Sequence, residues 1–249
     1  MMIMSHMIQE TITYTCSRCG SINIIRNGKN KCGNRQYHCR DCGAYRVLKP
    51  KKAYPVQQKK TILKACKERC SLRGIQRIFG VSRQTVSRWI KLHVSKLPLL
   101  IDTLLPAEKT DVLELDELWS FVLKKDQKRW LWIALCRRTR QIVAFFIGHR
   151  DNASCQQLWQ RIPPNYASCQ AVSDAWHTYP EVWSDGLHQA FGKKDGETAY
   201  VERWNNTLRQ RIGRFVRKTL SFSKSDEYHY WLTLWFIIDY NLEIASLTL

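Results

Sequence analysis

The spacing of apolar positions changes along the chain, and each change predicts an element. Ile22, Ile24 and Ile25, then Asn27-Gly28, then Tyr37 read as a short hairpin turning at the Asn-Gly pair. Further on the period becomes helical, with Ile62, Leu63, Cys66 and Cys70 on roughly one face. Leu72, Ile75 and Ile78 form a second short run; Gly80-Val81-Ser82 interrupts it, and Val86, Trp89 and Ile90 begin a third. Ser82 is placed to cap that third helix. Two short helices across a glycine-containing turn predict a helix-turn-helix, whose outward positions are Arg83, Gln84, Ser87, Arg88 and Lys91. Arginine and glutamine are side chains that read guanine and adenine edges in the major groove. The same pattern also fits a plain three-helix packing module with a basic exterior.

Beyond residue 110 the pattern becomes that of strands. Residues 111–123 are apolar and partly alternating, and residues 130–136 and 142–148 continue as two more strands across short turns. Residues 152–162 look helical after a possible cap at Asp151, and residues 170–173 form a short strand ending at Asp174. A long amphipathic helix is expected from Gly196 to about Lys218, with Val201, Trp204, Leu208, Ile212 and Phe215 near one face. Strand, strand, strand, helix, strand, helices is the order of an α/β RNase H-like fold, a mixed sheet with helices packed on it. The apolar run Trp231–Ile238 is far too short to span a bilayer.

Charge divides the chain unevenly. Residues 1–110 carry 22 Lys+Arg against 5 Asp+Glu, whereas residues 111–249 carry 18 against 16. A front half that basic attracts a polyanion, because each neutralised phosphate releases counterions. The opening MMIMSHMIQE lacks the order of a signal peptide and leaves Met7 as an alternative start, so a cytoplasmic location is expected, with no membrane partner. Cysteines in that compartment are reduced, and clustered ones point to metal. Cys16-Ser17-Arg18-Cys19-Gly20 is matched by Cys39-Arg40-Asp41-Cys42-Gly43, with nineteen residues between Cys19 and Cys39. Two such knuckles can close a tetrahedral Zn²⁺ site on Cys16, Cys19, Cys39 and Cys42, structural rather than catalytic, because so small a unit needs its metal to fold. Cys32 and His38 are spare donors not expected to bind, and the remaining cysteines read as small buried residues. The expected organisation is therefore multidomain: a zinc ribbon over 1–48, a basic linker and an all-α helix-turn-helix over 49–97, a linker or small packing helix over 98–110, and an α/β domain over 111–249.

Three acids stand out by placement: Asp116 inside the first strand, Asp174 at the end of the fourth, and Glu202 opening the long helix. A carboxylate within an apolar strand is costly unless paired or on metal. Three from separate elements can converge into a hard oxygen site suited to Mg²⁺ or Mn²⁺. Asn205, Asn206 and Arg209 share the helix face of Glu202, so Arg209 is placed to hold a DNA phosphate. Each acid also has a plainer reading: an edge-strand charge at 116, a cap or turn at 174, a helical ion pair at 202.

The phrases Glu114-Leu115-Asp116-Glu117-Leu118-Trp119, Ser173-Asp174-Ala175-Trp176-His177-Thr178-Tyr179 and Tyr200-Val201-Glu202-Arg203-Trp204-Asn205-Asn206, running on to Arg209 and Arg211, resemble the three blocks of the insertion sequence 1 family of bacterial DDE transposases, as does the stretch 217–224. That family also carries a four-cysteine zinc ribbon and helix-turn-helix ahead of its catalytic domain. The resemblance implies a DDE triad on Asp116, Asp174 and Glu202, with Arg209 as the basic residue that follows. His188 falls where the family tends to carry a histidine, a catalytic or DNA-contact role there standing beside a structural one. The implied activity is binding of terminal inverted repeats, then metal-dependent DNA cleavage and strand transfer into target DNA by a homodimer or higher oligomer. The family commonly joins its two halves by translational frameshifting; here they lie in one frame. The rival expectation is a DNA-binding regulator whose RNase H-like domain is catalytically inactive.

Overall fold

The computed structural model describes residues 11–31, 33–48, 54–183, 186–192 and 195–248. The N-terminal methionines, Cys32 and the basic linker residues 49–53 lie outside them. The chain divides into two compact units, Met1–Val56 and Gln57–Leu249.

In the first unit, β1 (Ile24–Lys29), β2 (Arg35–Cys39) and β3 (Tyr45–Val47) form an antiparallel sheet in that order. The hairpin does not turn at Asn27-Gly28. Those residues lie within β1, where two residues oppose one between the pairs Arg26↔Tyr37 and Lys29↔Arg35. Gly28 adopts φ +61 there, which glycine supplies without steric cost, so the pair builds a bulge instead. The turn comes later: the Asn30 and Asn34 backbones bond each other, and the Asn30 side chain accepts the Asn34 N–H at 2.9 Å. Few apolar groups are buried here, chiefly Cys16, Tyr37, Cys39 and Ala44. So small a core rarely holds a fold without a staple.

The second unit holds all but the first residue of α1 (Val56–Cys66), then α2 (Leu72–Phe79) and α3 (Arg83–Val94). Ser71 caps α2 by accepting the Gly74 N–H, Gly80 ends it in the left-handed region, and Ser82 caps α3 by accepting the Thr85 N–H. Ile62, Leu63, Ile75, Val86, Trp89 and Ile90 are buried, but Ile78, expected on the apolar face of α2, is exposed. A 3₁₀ turn at Leu100–Thr103 follows, held by Gln141 and Asn241.

The sheet of this unit comprises β4 (Val112–Phe121), β5 (Lys128–Cys136), β6 (Ile142–Gly148), β7 (Gln170–Asp174) and β8 (His188–Phe191), in the order β6-β5-β4-β7-β8. The first three are antiparallel; β4–β7 and β7–β8 are parallel. Around them lie α4 (Asn152–Trp159, capped by Asp151), α5 (Pro164–Ala167), α6 (Thr178–Val182), α7 (Ala199–Arg211) and α8 (Asp226–Thr248). Period-two alternation makes two cores. Leu113, Leu115, Trp132 and Ala134 join Cys155, Leu158 and Tyr179 on one face; Leu118, Leu131, Ile133 and Leu135 join Val201, Trp204, Leu208 and Phe236 on the other.

The long helix stops at Arg211, seven residues earlier than expected. Ile212 is extended and Gly213–Phe215 is a 3₁₀ turn. Ile212 and Phe215 are buried as expected, but as anchors of that turn. Arg214, Arg217 and Lys218 consequently lie off the helix. Neither α8 nor β8 follows from the sequence pattern. Among the described residues no helix is long and apolar enough to cross a membrane.

α1–α3 rest on the helices behind the sheet. The Arg69 N–H donates to the Arg211 carbonyl at 2.7 Å, Glu68 pairs with Arg211, and Lys67 pairs with Asp239.

Candidate active site and metal centre

On β4 the even-numbered side chains Glu114, Asp116 and Ser120 meet the α7–α8 side. Glu114 is fully buried. Its Oε2 accepts the N–H groups of Tyr200 and Val201, each at 2.9 Å, and its Oε1 accepts Arg137 Nε at 2.8 Å. Thr198, preceding α7, makes no side-chain cap. Glu114 therefore supplies from the sheet the anion that the helix N-terminus favours.

The parallel ladder between β4 and β7 ends at Glu114↔Val172. Asp116 and Asp174 each lie two residues beyond that pair, which sets them side by side where β7 finishes and β4 runs on. Glu202 is in the first turn of α7. All three carboxylates line one cleft of about 360 Å³ with Asn205, Asn206, Arg209 and Arg217. Their oxygens are not all within 4.8 Å of one another, unlike the cysteine sulfurs described below.

Asn205 Nδ2 donates to Asp116 Oδ2 at 2.5 Å, and the Glu117 N–H donates to Asp116 Oδ1 at 2.8 Å. Burial first, then the charges of Glu117, Asp174 and Glu202, push the Asp116 carboxyl up to about 7. Asn205 is itself buried, and its Oδ1 has no hydrogen-bond partner among the described residues. Crowded carboxylates beside an orphaned amide oxygen form a donor set that fits a hard divalent cation. Arg209 points into the same cleft, its Nε buried and without a partner among the described residues.

Glu117 faces the other side of β4. It accepts Arg150 Nη2 at 2.5 Å and the Tyr179 hydroxyl at 2.7 Å. The Arg150 guanidinium lies over Trp176 at 3.6 Å and Trp130 at 4.7 Å. His188 is not among the residues lining the cleft; its Nε2 and the Ser173 hydroxyl share a hydrogen bond at 2.9 Å, and burial lowers its pKa.

Among the described residues, Cys16, Cys19, Cys39 and Cys42 alone bring three or more metal-type donor atoms all within 4.8 Å. Cys16 and Cys42 sulfurs are 3.7 Å apart, Cys19 and Cys39 sulfurs 3.6 Å. The Arg18 amide, with those of Cys19 and the Tyr37 hydroxyl, draws the Cys16 thiol down to about 6. Although the Ser21 amide lowers it, the sulfurs around Cys19 push that thiol up to about 12. Four such sulfurs cannot all ionise together without a cation, and the set can hold zinc.

Of the α3 positions, Arg83, Gln84, Arg88 and Lys91 are exposed and Ser87 is half-buried. Lys91 Nζ lies 5.3 Å over Trp231 of α8. Sequence reasoning gave no role to Glu114 or Glu117, although an acid two residues before Asp116 in the same apolar strand carried the same signal.

Residues 111–240 match the family profile described as IS1 transposase. The insertion element iso-IS1n protein InsB of Shigella dysenteriae is 38% identical over 118 residues, covering 47% of this chain and 87% of that protein. The IS1 4 protein InsB of Escherichia coli K12 is 36% identical over 116 residues, 47% of this chain and 67% of its own. An IS1 protein InsB of Shigella flexneri is likewise 36% identical over 116 residues, covering 86% of that protein.

Proposed function

The chain belongs to the IS1 transposase family, and from that premise we propose that it binds the terminal inverted repeats of an insertion sequence and catalyses DNA strand cleavage and strand transfer. The observation that carries this reading is the shared cleft: Asp116, Asp174, Glu202 and Arg209 open into one space, where burial and then the charges of Glu117, Asp174 and Glu202 raise the Asp116 carboxyl. The strand order β6-β5-β4-β7-β8, an antiparallel meander continued by parallel strands, supports an RNase H-like domain.

Asp116, Asp174 and Glu202 would hold Mg²⁺ or Mn²⁺, with Asn205 Oδ1 as a further oxygen. Such ions, when bound, supply Lewis-acid activation of the attacking oxygen and charge stabilisation of the leaving one. Glu114 holds α7 so that Glu202 stays at the cleft, Asn205 orients Asp116, and Arg209 offers its free N–H to a phosphate oxygen.

In cleavage, water bonds to phosphorus as the P–O bond to the 3′ oxygen breaks, freeing a 3′-hydroxyl on the element end. In transfer, that hydroxyl attacks a target phosphodiester, whose own 3′ oxygen leaves. The described residues lining the cleft include no serine, threonine, tyrosine or cysteine, so no covalent protein–DNA adduct is part of this reading. Arg83, Gln84, Ser87, Arg88 and Lys91 on α3 meet the repeats as a helix-turn-helix, and a four-cysteine zinc ribbon assists. Joining two ends calls for at least a dimer on DNA.

The test is Mg²⁺-dependent nicking of element-end DNA by the wild type and by Asp174→Asn. Loss of nicking with retained binding is expected. Equal nicking by both refutes the site, and binding without cleavage by the wild type favours a DNA-binding regulator.

A further inference from the structure

Beside the carboxylate cleft lies a second one, of about 520 Å³, whose Trp119, Lys125 and Lys218 the reaction above does not use. It shares Glu117, Trp130, Arg209 and Arg217 with the first, so the two are continuous. Its walls are the indoles of Trp119 and Trp130 and the cationic side chains of Lys125, Arg209, Arg217 and Lys218.

The fold explains this combination. β4 runs on past the end of β7, so residues 117–121 have β5 as their ladder partner on one side. Trp119 and Trp130 are directly opposed in that ladder, and opposed side chains on one face stand about 5 Å apart at Cβ. Both indoles are half-exposed. Arg150 covers one face of Trp130, and Phe121 meets Trp119 at 5.6 Å, which fixes both rings. The cations come from elsewhere: Lys125 from the β4–β5 turn, Arg209 from α7, and Arg217 and Lys218 from the segment after α7. A parallel bridge between Val122 and Ser223 ties that segment to the strand end. The carboxylate in the cleft, Glu117, is already paired with Arg150.

Two partly exposed indoles on neighbouring strands, ringed by cations, suit a flat base carrying a phosphate. A base paired in a duplex presents only its edge, so this arrangement calls for one freed from its partner. We propose that this cleft binds an unpaired DNA nucleotide next to the strand being cut, its base on Trp119 and Trp130 and its phosphate among Lys125, Arg217 and Lys218. The inference rests on the reading of the chain as a DNA strand-transfer enzyme and names a substrate feature that reading leaves open.

The test uses the full-length, zinc-supplied protein without Mg²⁺, so that no cleavage is needed. Its probes are a blunt element-end duplex and the same duplex with a short thymidine overhang at the cut position. The wild type is expected to prefer the overhang. Trp130→Leu and Trp119→Leu should each reduce that preference about tenfold, within the range of one stacked base, and Trp130→Phe should restore most of it. Blunt-duplex affinity should stay unchanged in Trp119→Leu, whose indole does not line the carboxylate cleft. If the leucine variants do not fold, 2-aminopurine in the overhang reads stacking on the wild type directly: quenching on saturation supports the platform, and undiminished emission overturns it. Equal affinity for both probes, or a preference untouched by Leu at both positions, also overturns it. Loss of Mg²⁺-dependent nicking alone would strike the catalytic reading and leave a tryptophan-dependent overhang preference standing.

Discussion

Replacing Glu114 by glutamine perturbs the contact that ties α7, and with it Glu202 and Asn205, to the sheet. One glutamine oxygen can still accept the Tyr200 and Val201 N–H groups. Its amide nitrogen must then face Arg137 Nε, a donor against a donor, where a 2.8 Å charge-assisted bond stood. The loss is one hydrogen bond to a charged group, about 1.5–3 kcal/mol, plus the attraction of a carboxylate for a helix N-terminus, about 0.3–2 kcal/mol. Arg137 is about a third exposed and keeps Glu197, so its own penalty is small. The sum is about 3 kcal/mol, and for a unit the size of Gln57–Leu249 that lowers Tm by about 6–12 °C. Glu114→Ala leaves two buried N–H groups without an acceptor and should cost more, about 4–5 kcal/mol. Thermal unfolding followed by circular dichroism measures the shift. Strand cleavage well below the melting range should fall by more than DNA affinity, because the damage lies beneath Glu202 and away from the outward face of α3. A Glu114→Gln protein that melts within a degree of the wild type and cleaves normally would refute the idea that this carboxylate holds the helix.

Asp116 gives a pH prediction with a defined sign. Its folded carboxyl sits near 7, above an unfolded value of about 3.9, so the folded protein binds the extra proton and metal-free stability falls as pH rises through that window. Asp116→Asn should therefore raise Tm at pH 8 in EDTA while abolishing Mn²⁺ binding. In the wild type, Mn²⁺ affinity should weaken about tenfold per pH unit below about 7 as the ion competes with that proton; calorimetric titrations showing a flat affinity from pH 5.5 to 8 would contradict this. For the four-cysteine set, chelation at neutral pH should expose Cys16, Cys19, Cys39 and Cys42 to thiol reagents and melt the small sheet, leaving the unit from Gln57 folded. Unchanged thiol reactivity after chelation would remove the zinc assignment.

Much of this molecule was legible one segment at a time. The two cysteine knuckles, the Ser82 cap, the Asp151 cap and the alternation of β4 through β6 are local statements, and the chain meets each with its own neighbours in sequence. Where an element takes its reason from distant partners, local pattern fails. α8 is covered on more than one side, by the sheet and by α3, so its apolar positions run round the helix with no period to read. β8 is four residues, two of them exposed, and exists because β7 offers it a ladder.

The same division runs through the site. Asp116, Asp174 and Glu202 stand out by placement, and Asp116, an acid inside an apolar strand, is an anomaly that sequence alone exposes. That Asp116 and Asp174 fall side by side depends on the β4–β7 register, and that Glu202 joins them depends on Glu114 gripping an amide pair 86 and 87 residues away. Composition and spacing determine which side chains the chain has to offer and on which elements, because side-chain type and period are intrinsic to it. Which groups meet was decided by folding, because strand pairing and helix docking bring together residues that no local rule connects.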